Sequence, residues 1–326
     1  MHKILSMSFA LAMLATPVLA EPMRVKLASP APAPAPINKV FGAWAERVTQ
    51  ASNGSLIVEF VPGGVLGKEG QLLDRVAMGV IEMAWDFQGY YPGKYPKSAV
   101  AEQPYQFRTA EQGSRALQKL HEDGLLGKEY DDVKVLSLFS FPNAAVMLKT
   151  PLEDLSGLAG RKITAQNPTM QAAAGALGGT PVNVGIPEWY QAIGRGVIDG
   201  AIVTFTAVPA FRLNEVMKYY IDTTLGGNPG MFVMNKAAFA RLPQDAAAAI
   251  SANTGLTLAS EIGAHLERLN EAGKGVAAQN GNQVVQLTAN QADAWEAALH
   301  PLRDAWLGKT ENGAAIVEAF RVEASK

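Results

Sequence analysis

The sequence predicts an α/β protein of two lobes around a cleft, on three observations. Strand-like and helix-like segments alternate along the chain, which calls for crossover connections on a mostly parallel sheet. The alternation comes in two blocks separated by apolar segments that read as crossings between lobes. At 326 residues the chain exceeds the usual size of a single hydrophobic core.

The N-terminus reads as a leader. Met1, His2 and Lys3 give a basic start, Leu5 to Leu14 an apolar run, and Val18 and Ala20 small residues at the −3 and −1 positions of a cleavage site. A membrane anchor fits less well, because it needs about 20 apolar residues and Pro17 interrupts this run. The expectation is a signal peptide over 1–20, a mature chain from near Glu21, and a periplasmic location.

Arg24 to Ala28 alternates as a strand. The run Ser29 to Pro36 (SPAPAPAP) is neither helix nor central strand and reads as a stiff surface loop. Ile37, Val40, Phe41, Trp44 and Val48 recur at helical spacing, and Ser52-Asn53-Gly54 ends that helix. Leu56 to Val61 is a strand, turned by Pro62-Gly63-Gly64. A helix over Glu69–Met78 and a strand over Ile81–Trp85 follow.

The second block holds strands at Val133–Phe139, Ala144–Leu148, Arg161–Ala165 and Ala201–Phe205, with helices around Met170–Leu177 and Pro187–Gly194. Met231 to Met234 reads as a return to the first lobe. The tail reads as a long helix from Gln244 to about Gly275, then amphipathic stretches near Ala289–Leu302 and Ala314–Ala324. The division expected is 21–144 with 229–268 for lobe I, and 145–228 with 269–326 for lobe II. Hinges are expected near Ala144–Leu148 and Pro229–Val233. Ligands in open α/β sheets bind at the carboxyl ends of strands, which here face the cleft.

Composition narrows the function. There is no cysteine, so no disulfide framework, thiolate nucleophile or thiolate metal site. The net charge of −2, with no basic stripe, argues against nucleic acid or an anionic membrane as partner. Beyond the leader the histidines are His121, His265 and His300, without metal-binding spacing. No GxSxG elbow, P-loop or GxGxxG motif is present, and nothing in the sequence pairs carboxylates such as Glu69, Asp86 and Glu188 for acid–base work. The chain therefore reads as a non-enzyme without cofactor or metal.

Five stretches, taken in order, resemble the solute-binding proteins of TRAP transporters, the DctP family. They are Ser52–Gly67 with Phe60-Val61-Pro62-Gly63-Gly64, Val76–Met83, Asp154–Ile163, Glu188–Ala192 with Gly196–Gly200, and Met234–Lys236 with Leu242-Pro243. The resemblance implies a periplasmic-binding-protein clamshell with a long helix bracing both lobes. It implies delivery of a small organic solute to separate TRAP permease subunits in the membrane. A ligand-sensing subunit of a membrane signalling protein is the alternative use of such a lobe pair.

The resemblance also exposes a departure. In the family an arginine follows the Lys-Ile pair and clamps the substrate carboxylate. Here Lys162-Ile163 is followed by Thr164, and the family's Glu-Asn pair after Asp-Gly is Ile202-Val203. The expected site is therefore apolar and aromatic, with an aromatic or amphipathic ligand. The segment Trp85–Pro92 packs four aromatics, an acid and an amide just beyond a strand end. The candidate ligand-binding residues are Glu69, Trp85, Asp86, Phe87, Gln88, Tyr90, Phe141, Asn143, Thr164, Trp189, Val203 and Phe205, with Asp86 as an anion for a cationic group.

Overall fold

The structure is a computed structural model that describes residues 21–152 and 158–326. The leader and the Asp154–Gly157 part of the third motif lie outside those residues. No helix among the described residues is long and apolar enough to cross a membrane.

The strands are β1 (Met23–Ala28), β2 (Leu56–Val61), β3 (Met83–Phe87), β4 (Lys134–Ser140), β5 (Ala145–Leu148), β6 (Lys162–Ala165), β7 (Thr180–Pro181), β8 (Gly200–Val203), β9 (Tyr219–Asp222), β10 (Pro229–Met234) and β11 (Gln283–Gln286). They form two sheets, ordered β2-β1-β3-β10-β4 and β11-β9-β5-β8-β6-β7. Neighbours run parallel except where β10 pairs with β3 and β4 and where β5 pairs with β8 and β9. The two antiparallel strands are those that follow a crossing between sheets, so each enters its sheet from the cleft side.

The helices are α1 (Asn38–Ala51), α2 (Leu72–Ala77), α3 (Ala110–Glu122), α4 (Pro168–Ala176), α5 (Trp189–Gly194), α6 (Ala207–Ala210), α7 (Leu213–Val216), α8 (Lys236–Ala240), α9 (Gln244–Ala252), α10 (Leu256–Ala277), α11 (Ala289–Lys309) and α12 (Gly313–Ala324). Each sheet carries a core on both faces. In the first lobe α1 contributes Phe41 and Trp44 to one face and α2 and α3 cover the other. In the second lobe Trp189 and Phe205 fill one face, and Met170 and Trp295 the other.

The chain crosses between sheets at 141–144 and 223–228. The expected hinge segments Ala144–Leu148 and Pro229–Val233 fall instead largely within β5 and β10, because these runs, buried along their whole length, pair into the sheets on both sides. The expected single tail helix is broken at Gly255, whose φ of +71° ends helical geometry and whose N–H donates to Leu136 O at 2.8 Å. The second piece, α10, is the brace. Leu258, Ile262 and Leu266 join the first lobe's core, and Ala277 joins the second's.

Two glycines let α10 dock closely. A Cβ on Gly263 would stand 2.6 Å from Glu111 Cα in the first lobe, and one on Gly273 would collide with the Phe205 carbonyl in the second. The expected placement of all of 269–326 in lobe II is corrected at the C-terminus. Ile316, Val317 and Phe320 of α12 pack into the first lobe's core, beside Phe107, because that apolar stripe covers α3.

Candidate functional site

The carboxyl ends of the two sheets face one another. The turn that follows β3 meets the segment that follows β6: a Cβ on Gly89 would lie 3.8 Å from Asn167 Cβ. Both ends are places where strand pairing stops and side chains are free to converge on a ligand.

On the first lobe, three rings form a wall. Phe87, the last residue of β3, lies 5.0 Å from Phe141 and 6.0 Å from Tyr90 between ring centroids. The alternation of β3 puts Met83, Trp85 and Phe87 on one face. Trp85 is the buried neighbour of this wall. It stacks on Phe41 at 5.3 Å, and its indole N–H donates to Ser29 Oγ at 2.9 Å. Tyr90 is the most accessible of the group, at 42% exposure. Exposed Glu69 hydrogen-bonds its phenol, and burial together with that carboxylate holds the phenol above its usual pKa range.

Asp86 points to the opposite face of β3, and the expectation of a free anion there is corrected. It accepts from the N–H groups of Gly70, Leu72 and Phe87 and from the Tyr91 hydroxyl at 2.6 Å. Those bonds fasten the start of α2 to β3. Desolvation raises its pKa from 3.8 to about 6 against the pull of these donors. Gln88 also turns inward, donating to Gly230 O at 3.4 Å.

Asn143 is placed in the first crossing segment. Its amide donates to the carbonyls of Phe107 and Arg108, and its oxygen accepts from Gly226 N–H of the second crossing segment. It joins the two crossings to each other.

The second lobe presents no guanidinium at Thr164. This side chain is fully buried, and its hydroxyl donates to Val184 O at 3.3 Å. The Trp189 indole donates to the same carbonyl at 2.8 Å. Val203 and Phe205 belong to the same core. Phe205 N–H donates to Asn270 on α10, and the Lys274 ammonium sits 5.6 Å over its ring. These four residues shape the second lobe from within.

Polar groups that sequence reasoning missed lie at the strand ends. Asn167 caps α4, its Oδ1 accepting from Met170 N–H at 2.8 Å. That bond fixes which way the amide points and leaves Nδ2 as a buried donor without a protein partner. Gln166 Oε1 and Asn228 Oδ1 are likewise buried without a partner. Asn167 followed by Pro168 is a recognisable helix start, and this was the available signal. Among the described residues no cluster of histidines and carboxylates could hold a metal.

Two α/β lobes joined by paired crossings, braced by one helix and facing each other through strand ends, define a cleft-type binding protein. The family model for bacterial extracellular solute-binding protein, family 7 (DctP), matches residues 27–309, and the chain belongs to that family. It is 26% identical over 301 residues to the C4-dicarboxylate-binding periplasmic protein DctP of Rhodobacter capsulatus, covering 89% of this chain and 88% of that one. A TRAP solute binding protein from a marine metagenome, specific for aromatic acid ligands and solved with 3-hydroxybenzoate, superposes with a TM-score of 0.87. Identity is 29%, and 94% of this chain and 99% of that one are covered. A TRAP solute binding protein from Rhodoferax ferrireducens T118, 24% identical, shares the fold with a TM-score of 0.86 over 93% of this chain and 98% of that one.

Proposed function

We propose that this chain is a periplasmic receptor that captures a small aromatic organic solute and delivers it to the membrane subunits of a TRAP transporter. The observation that carries the solute class is the ring wall of Phe87, Tyr90 and Phe141 at the strand ends of the first lobe. Flat rings at such spacing offer edge and face contacts to another ring. The aromatic-acid specificity of the 29%-identical marine protein supports the same class.

The ligand is held without the arginine clamp. Thr164 replaces the cation and is committed to the Val184 carbonyl. A carboxylate on the ring is met instead by neutral donors such as Asn167 Nδ2, which is buried without a partner in the protein. Binding, closure and hand-over constitute the activity.

A thermal-shift screen tests this. 3-Hydroxybenzoate, 3-hydroxyphenylacetate and benzoate are compared with succinate and malate. A ligand binding only the folded state stabilises by about 2.7 kcal/mol at 100 times its Kd. The aromatic acids should raise the melting temperature and the C4-dicarboxylates should not; the reverse pattern defeats the proposal.

A further inference from the structure

Glu102 ends the short turn Ser98–Glu102 in the first lobe and is only 7% exposed. The Thr169 hydroxyl, in the first turn of α4 in the second lobe, donates to its Oε2 at 2.6 Å. Among the described residues this is the one hydrogen bond that joins residues 21–140 directly to residues 145–222. Its other oxygen faces the space beside Gly89. A Cβ there would lie 3.7 Å from Glu102 Oε1, 3.7 Å from Asn228 Oδ1 and 3.8 Å from Asn167 Cβ. The Asn228 oxygen has no partner in the protein. Two acceptor oxygens looking onto one space are complementary to a proton, which a neutral carboxylic acid supplies from within.

We propose that Glu102 is a lobe-coupling residue: its carboxyl group takes up a proton as the cleft closes and, as a neutral acid, ties the first lobe to α4 through Thr169. The proposal rests on reading the chain as a receptor that opens and closes, and not on the identity of its solute.

The electrostatics agree. Desolvation raises the Glu102 pKa from 4.5 to about 7, outweighing the opposing pull of the Thr169 hydroxyl, and no charged group contributes. The groups that share the space beside Gly89 with its carboxyl, Asn228 of the second crossing and Asn167 that caps α4, are neutral, as is its partner Thr169. Opening the cleft returns the carboxyl to water, where its pKa falls toward the ordinary value. The closed form therefore holds more protons than the open form between about pH 4.5 and 7. Closure strengthens as pH falls through that window and is insensitive to pH above it. Between pH 8 and pH 6 the closed-to-open ratio rises about tenfold.

The absence of cysteine makes the test direct. Ala43→Cys on α1 and Ala172→Cys on α4, both exposed, take spin labels on opposite lobes. Pulsed dipolar spectroscopy then reads the lobe distance without ligand at pH 8, 7 and 6. The wild type should shift toward the short distance by about tenfold in population ratio. Glu102→Gln, a permanently neutral isostere, should be closed-rich at every pH, and Thr169→Val should be open-rich at pH 6. A distribution that ignores pH, or one that shifts equally in Glu102→Gln, overturns the proposal. Calorimetry with 3-hydroxybenzoate at pH 6, in buffers of different ionisation enthalpy, gives a second readout: uptake of close to one proton in the wild type and none in Glu102→Gln. If 3-hydroxybenzoate does not bind, the aromatic reading fails while the distance measurement still decides the role of Glu102.

Discussion

Thr164 and Trp189 donate to one carbonyl, that of Val184, at 3.3 and 2.8 Å. These two bonds strut the 182–184 segment against the second lobe's core. Introducing a cation at Thr164 should damage the fold. Thr164→Arg would place an unpaired guanidinium in a site with no exposed surface, at a cost of about 3 kcal/mol or more. Urea unfolding checks this. An unchanged midpoint would mean that the site opens easily to solvent.

Asp86 makes stability depend on pH with an unusual sign. Its folded pKa, about 6, lies above its unfolded value of 3.8, so the native state binds more protons between those values. Stability from this group therefore falls as pH rises through 6. The change from pH 5.5 to 7.5 is about 1 kcal/mol. Asp86→Asn should abolish that slope and cost about 2 kcal/mol, because the amide cannot replace a carboxylate facing four donors. Chemical denaturation of both proteins at the two pH values measures slope and offset separately.

The brace makes a third prediction. Gly273→Ala should cost about 1–3 kcal/mol, because its Cβ meets backbone of the second lobe that cannot swing aside. Gly275→Ala, on the same helix with open space around it, should stabilise by about 0.5–1 kcal/mol through helix propensity alone. Thermal unfolding of the pair separates docking from propensity. Equal behaviour of the two variants would remove the docking argument.

Much of this architecture is legible in the sequence because the signals are local. Leu56 to Val61 and the helical stripe from Ile37 to Val48 announce themselves by period and by flanking turn residues. Other elements do not. β9 is four residues long, and its neighbour β11 is half-exposed and carries glutamine at both ends, so neither builds a periodic stretch. The start of α3 has a legible capping box, Thr109 with Gln112, but a sequence reading drawn to apolar stripes passes over it. The site divides the same way. Phe87, Tyr90 and Phe141 are legible as strand-end aromatics. Glu102 is not, since its meaning comes from Thr169, 67 residues away. Asp86 looked free because a carboxylate near a strand end shows nothing of the amides that will surround it.

The ring wall predicts a loss of affinity without loss of fold. Tyr90 is 42% exposed, so Tyr90→Ala should leave the melting temperature within a few degrees while weakening an aromatic ligand by about tenfold. Fluorescence titration of the variant checks it. Unchanged affinity would place the ligand elsewhere in the cleft.

Calorimetric titration of the protein with 3-hydroxybenzoate and with succinate under identical conditions tests the proposed aromatic solute class most directly. Saturable one-to-one binding of the aromatic acid and no measurable heat with the dicarboxylate are expected. Tight binding of succinate, with none of 3-hydroxybenzoate, would contradict the proposed aromatic solute class, because the buried Thr164 hydroxyl offers no charge to a compact dianion.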